Sequence, residues 1–274
     1  MQHHSIQDSP QWTRLFEQVV REARRTLVGR RFLGLWGPLG AGIESVGLEE
    51  YGPDKDGEIE LTGKQDREPI SALRDKFLRV PILYKDFLLH WRDVEFATKL
   101  QAPLDGSRAV RAAHFVADRE DQLIFNGEPR LGLEGLLNAT GRAQVARSDW
   151  NTYGTAYNDI VQATETLLKH NHHRPFALAL SAQDYALLVK QRAGQFAPEI
   201  DGIFRLCDDG IFTSPMIPEG KSVLLSTGDQ NFDIAVTEDL SIGYLGEEGQ
   251  DLLFRIYECL VLRIKRPLAI CTIE

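Results

Sequence analysis

A chain of 274 residues with 43% hydrophobic content is long enough to bury one large core or two modest ones. Its formal charge of -9 favours solubility and speaks against a surface built to neutralise phosphates. No run approaches the roughly eighteen apolar residues of a membrane helix, and three cysteines, Cys207, Cys259 and Cys271, lack metal-ligand spacing and read as reduced thiols.

The N-terminal MQHHSIQDSP lacks the basic and apolar regions of a signal peptide, so the expected location is the cytoplasm. Ser9 and Pro10 mark a helix start, and Trp12, Leu15, Phe16, Val19, Val20, Ala23 and Leu27 then fall on one face up to a stop at Gly29. The next segment, GRRFLGLWGPLGAG, holds five glycines but neither GxxxxGK[ST] nor a correctly spaced GxGxxG. No helix pattern opens after it to aim backbone N–H groups at an anion, so these are turn glycines.

From Gly47 to Val80 the chain is rich in charge and poor in large apolar residues. Glu58 to Thr62 and Phe77 to Leu83 read as the two strands of a long hairpin. An isolated hairpin is marginal in water, so this one needs partners, which neighbouring subunits can supply; the competing reading is a surface insertion. The apolar stretch VPILYKDFLLHWRDVEFATKL follows. His90, Asp93 and Glu95 within it lack the second His of an HExxH or ExxH site and read as a salt-bridged helix face.

Asp105 to Gly127 is predicted to be one long helix, with Asp105 as N-cap, Ala109, Val110, Ala113, Val116, Ala117, Leu123 and Ile124 near helical spacing, and Asn126-Gly127 as the stop. Some twenty residues at about 1.5 Å each make a rod of roughly 30 Å, a strut for an extended subunit. GLEGLLNATG then turns the chain into a different region.

Asn151 to Gln230 reads as α/β. Tyr157 to Lys169 is helical, FALAL (Phe176 to Leu180) is a buried strand, Ser181 caps a helix through Gln191, and SVLLS from Ser222 is another strand. Between them RAGQFAPEIDGIFRL forms a loop long enough to protrude. His170, His172 and His173 cluster at a helix end, where the dipole favours His and the loop gives a metal no fixed geometry. From Phe232 onward β-branched and aromatic residues dominate; Leu252 to Ile264 is a long strand, and Pro267 breaks the run before a last strand, Leu268 to Ile273. The expected order is helices, an α/β insertion, then strands returning to the first layer.

Signatures of chemistry are missing: no GxSxG, no CxxC, no di-iron Glu-x-x-His and no nucleotide loop. The expectation is an assembly-forming structural protein without catalytic residues or a metal site.

The segments GRRFLGLWGPLGAG at Gly29 to Gly42, YKDFLLHWRD at Tyr84 to Asp93, EDQLIFNGE at Glu120 to Glu128, GLEGLL at Gly132 to Leu137, DLSIGY at Asp239 to Tyr244 and LRIKRPLAICT at Leu262 to Thr272 together resemble the encapsulins, shell proteins of bacterial and archaeal nanocompartments. The resemblance covers nearly the whole chain. It implies an α+β, tailed-bacteriophage major-capsid-protein fold. Its peripheral domain would be built from residues 1–46 (N-terminal helix), 81–135 (spine helix) and 232–274 (C-terminal strands), with an extended loop over 47–80 and an axial domain over 136–231. It further implies an icosahedral homo-oligomer enclosing a cargo enzyme, either a ferritin-like iron-oxidising protein or a dye-decolourising peroxidase, for iron storage or protection from oxidative stress. Neither nucleic acid nor membrane is an expected partner.

In such proteins the cargo carries a C-terminal targeting peptide that lies on the inner wall. The matching positions are Arg30 and Asp239 for polar contacts and Leu240 and Ile242 for apolar ones, although a plain strand-turn also accounts for Asp239 and Ile242. Many members have an acidic residue where this chain has Gly34. No cofactor is required, but some relatives bind a flavin beside an aromatic residue in the stretch resembling FLLHWRD, which makes Trp91 the candidate platform. The loop around Ala193 to Ile203 would line the five-fold pore, with Glu199 and Asp201 biasing cation passage. Two rival functions stand beside this one: a phage-derived capsid protein enclosing DNA, and a free-standing flavin-binding enzyme.

Overall fold

The structure, a computed structural model, describes residues 10–51, 59, 61–62, 69–70, 72–192 and 194–274. The predicted cap Ser9 and the predicted strand start Glu58 lie outside them.

Two long strands, β9 (Phe232–Glu248) and β10 (Asp251–Ile264), form an antiparallel hairpin at the centre of a four-stranded sheet. β4 (Ile82–Leu89) adds antiparallel to β10, and the short β1 (Gly34–Trp36) adds parallel to β9. Burial alternates along β10, with Leu252, Phe254, Ile256, Glu258 and Leu260 turned inward, the period of two that a sheet with one covered face requires. The cover is helical. α1 (Pro10–Thr26) and α3 (Ser107–Asn126) pack on each other, and α3 packs on β4 and β10. Gly37, with φ +132°, lets the segment after β1 cross β9 closely; a Cβ there would lie 2.1 Å from the Val236 carbonyl oxygen.

The 20-residue α3 ends at Asn126 with Gly127 (φ 69°) as its stop, as the sequence predicts. Its N-cap position belongs to Gly106, not Asp105. The Asp105 carboxylate instead accepts the Ser107 N–H at 2.9 Å and the Ser107 hydroxyl at 2.6 Å, closing a turn just outside the helix. A shorter helix, α2 (Trp91–Leu100), precedes it, and His90 caps α2 by accepting the Arg92 N–H.

A second, five-stranded sheet has the order β5 (Ala143–Val145), β11 (Ile270–Ile273), β8 (Ser222–Ser226), β6 (Phe176–Leu180), β7 (Gly210–Thr213). α4 (Thr155–Lys169) packs on β5, β8 and β11, with α5 (Ala182–Val189) and the short α6 (Glu199–Ile203) nearby. The helix capped by Ser181, whose Oγ accepts the Asp184 N–H, is α5, two residues shorter than predicted. β6 is buried at every position because it faces two cores: Phe176, Leu178 and Leu180 meet α4, while Ala177 and Ala179 meet the first core. The expectation that 232–274 returns wholly to the first layer fails at its end, since β11 leaves that layer and pairs with β5 and β8.

The predicted hairpin exists with different strands. β2 (Ser45–Tyr51) pairs antiparallel with β3 (Ala72–Arg79), forming a separate two-stranded ribbon. Phe77 to Leu83 is not one strand. Pro81 has no N–H to donate, and the run divides there into β3 and β4. Leu61 and Thr62 lie in a bend. No helix among the described residues is long and apolar enough to cross a membrane.

Candidate functional site

Between the C-terminal half of α1 and β9 lies a groove of about 520 Å³. Val20, Ala23, Leu27, Ala117 and Leu240 supply apolar lining, and Arg30, Asp239 and Glu258 supply charge. Leu240 is half-buried against Ala23, Leu27 and Ala117, so the lining continues a small core between α1 and α3.

The turn that carries Arg30, a 3₁₀ turn over Gly29–Arg31, is fastened from α3. The buried Asp121 carboxylate accepts the Val28 and Gly29 N–H groups, both at 2.9 Å. Burial pushes the Asp121 carboxyl up to about 7, against those two N–H donors, which favour its charge. Arg31 closes the end of α1, donating to the Leu27 and Arg25 carbonyls.

Arg30 then spends every arm of its guanidinium on carboxylates. Nε donates to Glu120 at 2.7 Å, Nη2 to Glu258 at 2.8 Å and Nη1 to Asp239 at 2.9 Å. Burial disfavours its charge, and these acids more than offset that, holding the guanidinium pKa above its ordinary value. At Asp239 burial opposes ionisation, but the hydrogen bonds from Arg30 and from the Leu240 N–H, with the charges of Arg30 and Arg24, together outweigh it, so this carboxyl titrates below the usual range.

The aim of Asp239 and Leu240 comes from an irregular register. Glu238 pairs with Cys259 and Ser241 with Tyr257, so two residues of β9 oppose the single Glu258 of β10. Such a bulge re-aims side chains without ending the strand. Asp239 therefore sits mid-strand, and the strand-turn alternative for it does not hold.

Of the four predicted peptide contacts, Arg30, Asp239 and Leu240 meet at the groove. Ile242, opposite Ile256, packs against the main core instead and is not in the groove lining. Glu120 and Glu258 are the members that sequence reasoning missed. Both occupy positions in an otherwise apolar phase: Glu120 after Ala113, Val116 and Ala117 on α3, Glu258 after Phe254 and Ile256 on β10. An acid in phase with a buried stripe is the signal that would have found them. At Gly34 the place of a Cβ lies within bonding distance of the Asp229 carboxylate, so a side chain at 34 would have to displace Asp229.

The remaining candidates scatter. Trp91 is 37% exposed at the start of α2, with the Arg92 guanidinium 5.3 Å from its ring centre and the His90 ring 6.2 Å away. Asp201 is exposed, but Glu199 is not available to line an opening: it is buried, and its carboxylate accepts the Tyr157 N–H at 2.6 Å in the first turn of α4. Among the described residues no cluster of three His, Cys, Asp or Glu side chains could hold a metal. Asp93 faces Arg108 at 3.7 Å and Glu95 faces Lys99 at 3.0 Å, as a salt-bridged helix face predicts.

A second surface concerns assembly. Ile70 and Phe77 are 89% and 78% exposed, and Ile59 and Leu61 stand almost free of contacts. A hollow of about 550 Å³ is lined by Ile82, Tyr84, Leu123 and Leu131 beside α3.

Comparison with known proteins gives the family and the fold. The family model described as "Encapsulating protein for peroxidase" matches residues 5–261. The chain is 43% identical over 264 residues to the type 1 encapsulin shell protein EncA of Myxococcus xanthus, covering 96% of this chain and 92% of that protein. It is 38% identical to the diheme-cytochrome-encapsulin shell fusion protein of Kuenenia stuttgartiensis, covering 96% and 72%. Among solved structures, the virus-like particle from Pyrococcus furiosus superposes with a TM-score of 0.78 at 20% identity, covering 97% of this chain and all of that one. The capsid of Myoviridae phage XM1 does so at 0.62 and 12% identity, with 88% of each chain covered. The α+β architecture of two sheets, long helix and projecting ribbon is thus the tailed-phage capsid fold, and the chain belongs to the encapsulin family of shell proteins that build nanocompartments.

Proposed function

We propose that this shell encloses an oxidative enzyme, a ferritin-like protein or a peroxidase, and that the groove beside α1 captures the cargo's C-terminal peptide. The observation that carries this reading is the groove itself: apolar lining from three elements, bordered by a fully paired arginine and an exposed aspartate, which suits a short extended peptide with alternating apolar and polar side chains. Two relatives support the cargo class, a diheme-cytochrome-encapsulin shell fusion protein and, from Pyrococcus furiosus, a ferritin-like-encapsulin shell fusion protein. In this reading the chain acts by enclosure, in the cytoplasm, and the chemistry belongs to the cargo.

Electron microscopy of the purified protein should show closed icosahedral particles, and a reporter fused to the cargo's C-terminal segment should be found inside them. Leu240→Asp places a charge in the apolar lining and should weaken loading by about thirtyfold, the equivalent of roughly 2 kcal/mol at a central contact. Undiminished loading by this variant would remove the groove from the account. Particles that carry nucleic acid would favour the capsid reading instead. We extend the proposal to a flavin at Trp91, which visible absorbance of the pure shell and its loss in Trp91→Ala would test.

A further inference from the structure

Two carboxylates share Arg30 from beneath the groove. Glu120 and Glu258 are closed off from solvent, and each gives one oxygen to the guanidinium. Their other oxygens, Glu120 Oε2 and Glu258 Oε1, are buried as well and have no hydrogen-bond donor in the described structure. With Asp239 at the rim, three carboxylates meet one cation. Buried like charges disfavour each other, and a buried oxygen without a donor is costly. One proton answers both problems, since it removes a charge and provides the missing O–H.

We propose that Glu120 and Glu258 hold a single shared proton that positions Arg30 at the groove, so that peptide capture weakens as this proton leaves. The link to capture rests on the groove being the peptide site; the shared proton does not.

The groups around the pair come from every element that packs on it: Arg30 on its turn, Asp239 and Glu238 on β9, Arg24 on α1 beyond Asp239, Asp121 and Asp118 on α3, and Cys259 beside Glu258. Burial and then the charge of Glu120 drive the Glu258 carboxyl well above the usual carboxylate range, and Arg30 offsets this only in part. The sign follows. The proton's contribution to stability is complete below the unfolded value of about 4.3 and is lost as pH rises through the higher folded value. Ionising the second acid draws Arg30 inward, away from Asp239, and opens the ion pair at the rim.

The test compares wild type, Glu258→Gln and Glu120→Gln as assembled shells from about pH 5 to about pH 9. Thermal melting reads the proton, and capture is read as the amount of a C-terminal peptide from a ferritin-like cargo, labelled with a pH-insensitive dye, that shells reassembled in its presence at each pH retain inside. Wild-type affinity should fall by about tenfold per pH unit once the pair titrates, the linkage of one proton, while both amide variants bind without that fall. Melting profiles with the same pH slope in all three proteins would overturn the shared proton. Peptide binding with the same slope in all three, or no binding at any pH, would overturn its link to capture.

Discussion

Single side chains in this protein are assigned by what they touch, and Glu199 and Asp201 show how far two neighbouring acids can differ. Glu199 is buried and accepts the Tyr157 N–H, whereas Asp201 is exposed. Glu199→Ala should lower stability by about 1 kcal/mol, the usual cost of a lost acceptor at a helix start. Asp201→Asn should leave the melting temperature unchanged and, on the proposal that this loop lines an opening into a shell with a ferritin-like cargo, alter iron uptake. A denaturant melt and an uptake assay on both variants check the pair, and equal effects of the two substitutions on uptake would contradict the division. The groove was legible only in part. Arg30, Asp239 and Leu240 followed from family resemblance, because residues 209 positions apart in sequence, as Arg30 and Asp239 are, have no local pattern to join them. Glu120 and Glu258 do have one, an acid at the inward phase of a helix and of a strand.

Among the elements, the ribbon of β2 and β3 is the least self-sufficient. Among the described residues it pairs only with itself in sheet terms, and it carries or adjoins apolar side chains that stand in the open, Phe77 and Ile70 among them. Two strands alone are marginal in water; Val46 and Leu78 tie the base of the ribbon to the main core, and burial of its open side chains against another copy is the proposed completion. Phe77→Asp combined with Ile70→Asp should leave the subunit helical by circular dichroism yet free of closed particles in sizing and microscopy, because each buried large apolar side chain is worth about 2 kcal/mol per contact. Intact shells from the double variant would show that the ribbon is dispensable. The sequence placed this element correctly as a hairpin and misplaced its strands. Alternation in Ile59 and Leu61 imitates a strand although Leu61 and Thr62 bend, and Pro81 divides Phe77 to Leu83.

At the scale of the whole molecule, two sheets are joined by a wall they hold in common. β6 turns Phe176, Leu178 and Leu180 to one core and Ala177 and Ala179 to the other, which is why FALAL read as uniformly buried. Leu178→Ala should cost about 3 kcal/mol, as for other leucines removed from closed cores, and should lower the melting transition as one cooperative event. Two separate transitions would mean that the cores unfold independently. The alternation of helices and strands was legible from periodicity across most of this body. The departure of β11 to the second sheet was not, since strand partners are chosen by long-range packing that no window of sequence contains.

The small methyls on one side of that common strand have a mechanical outcome. Alanine leaves little room between backbones, so the halves mesh like gears with short teeth and resist hinging. A container made of such stiff tiles yields at its seams, between one tile and the next, when it swells or is squeezed.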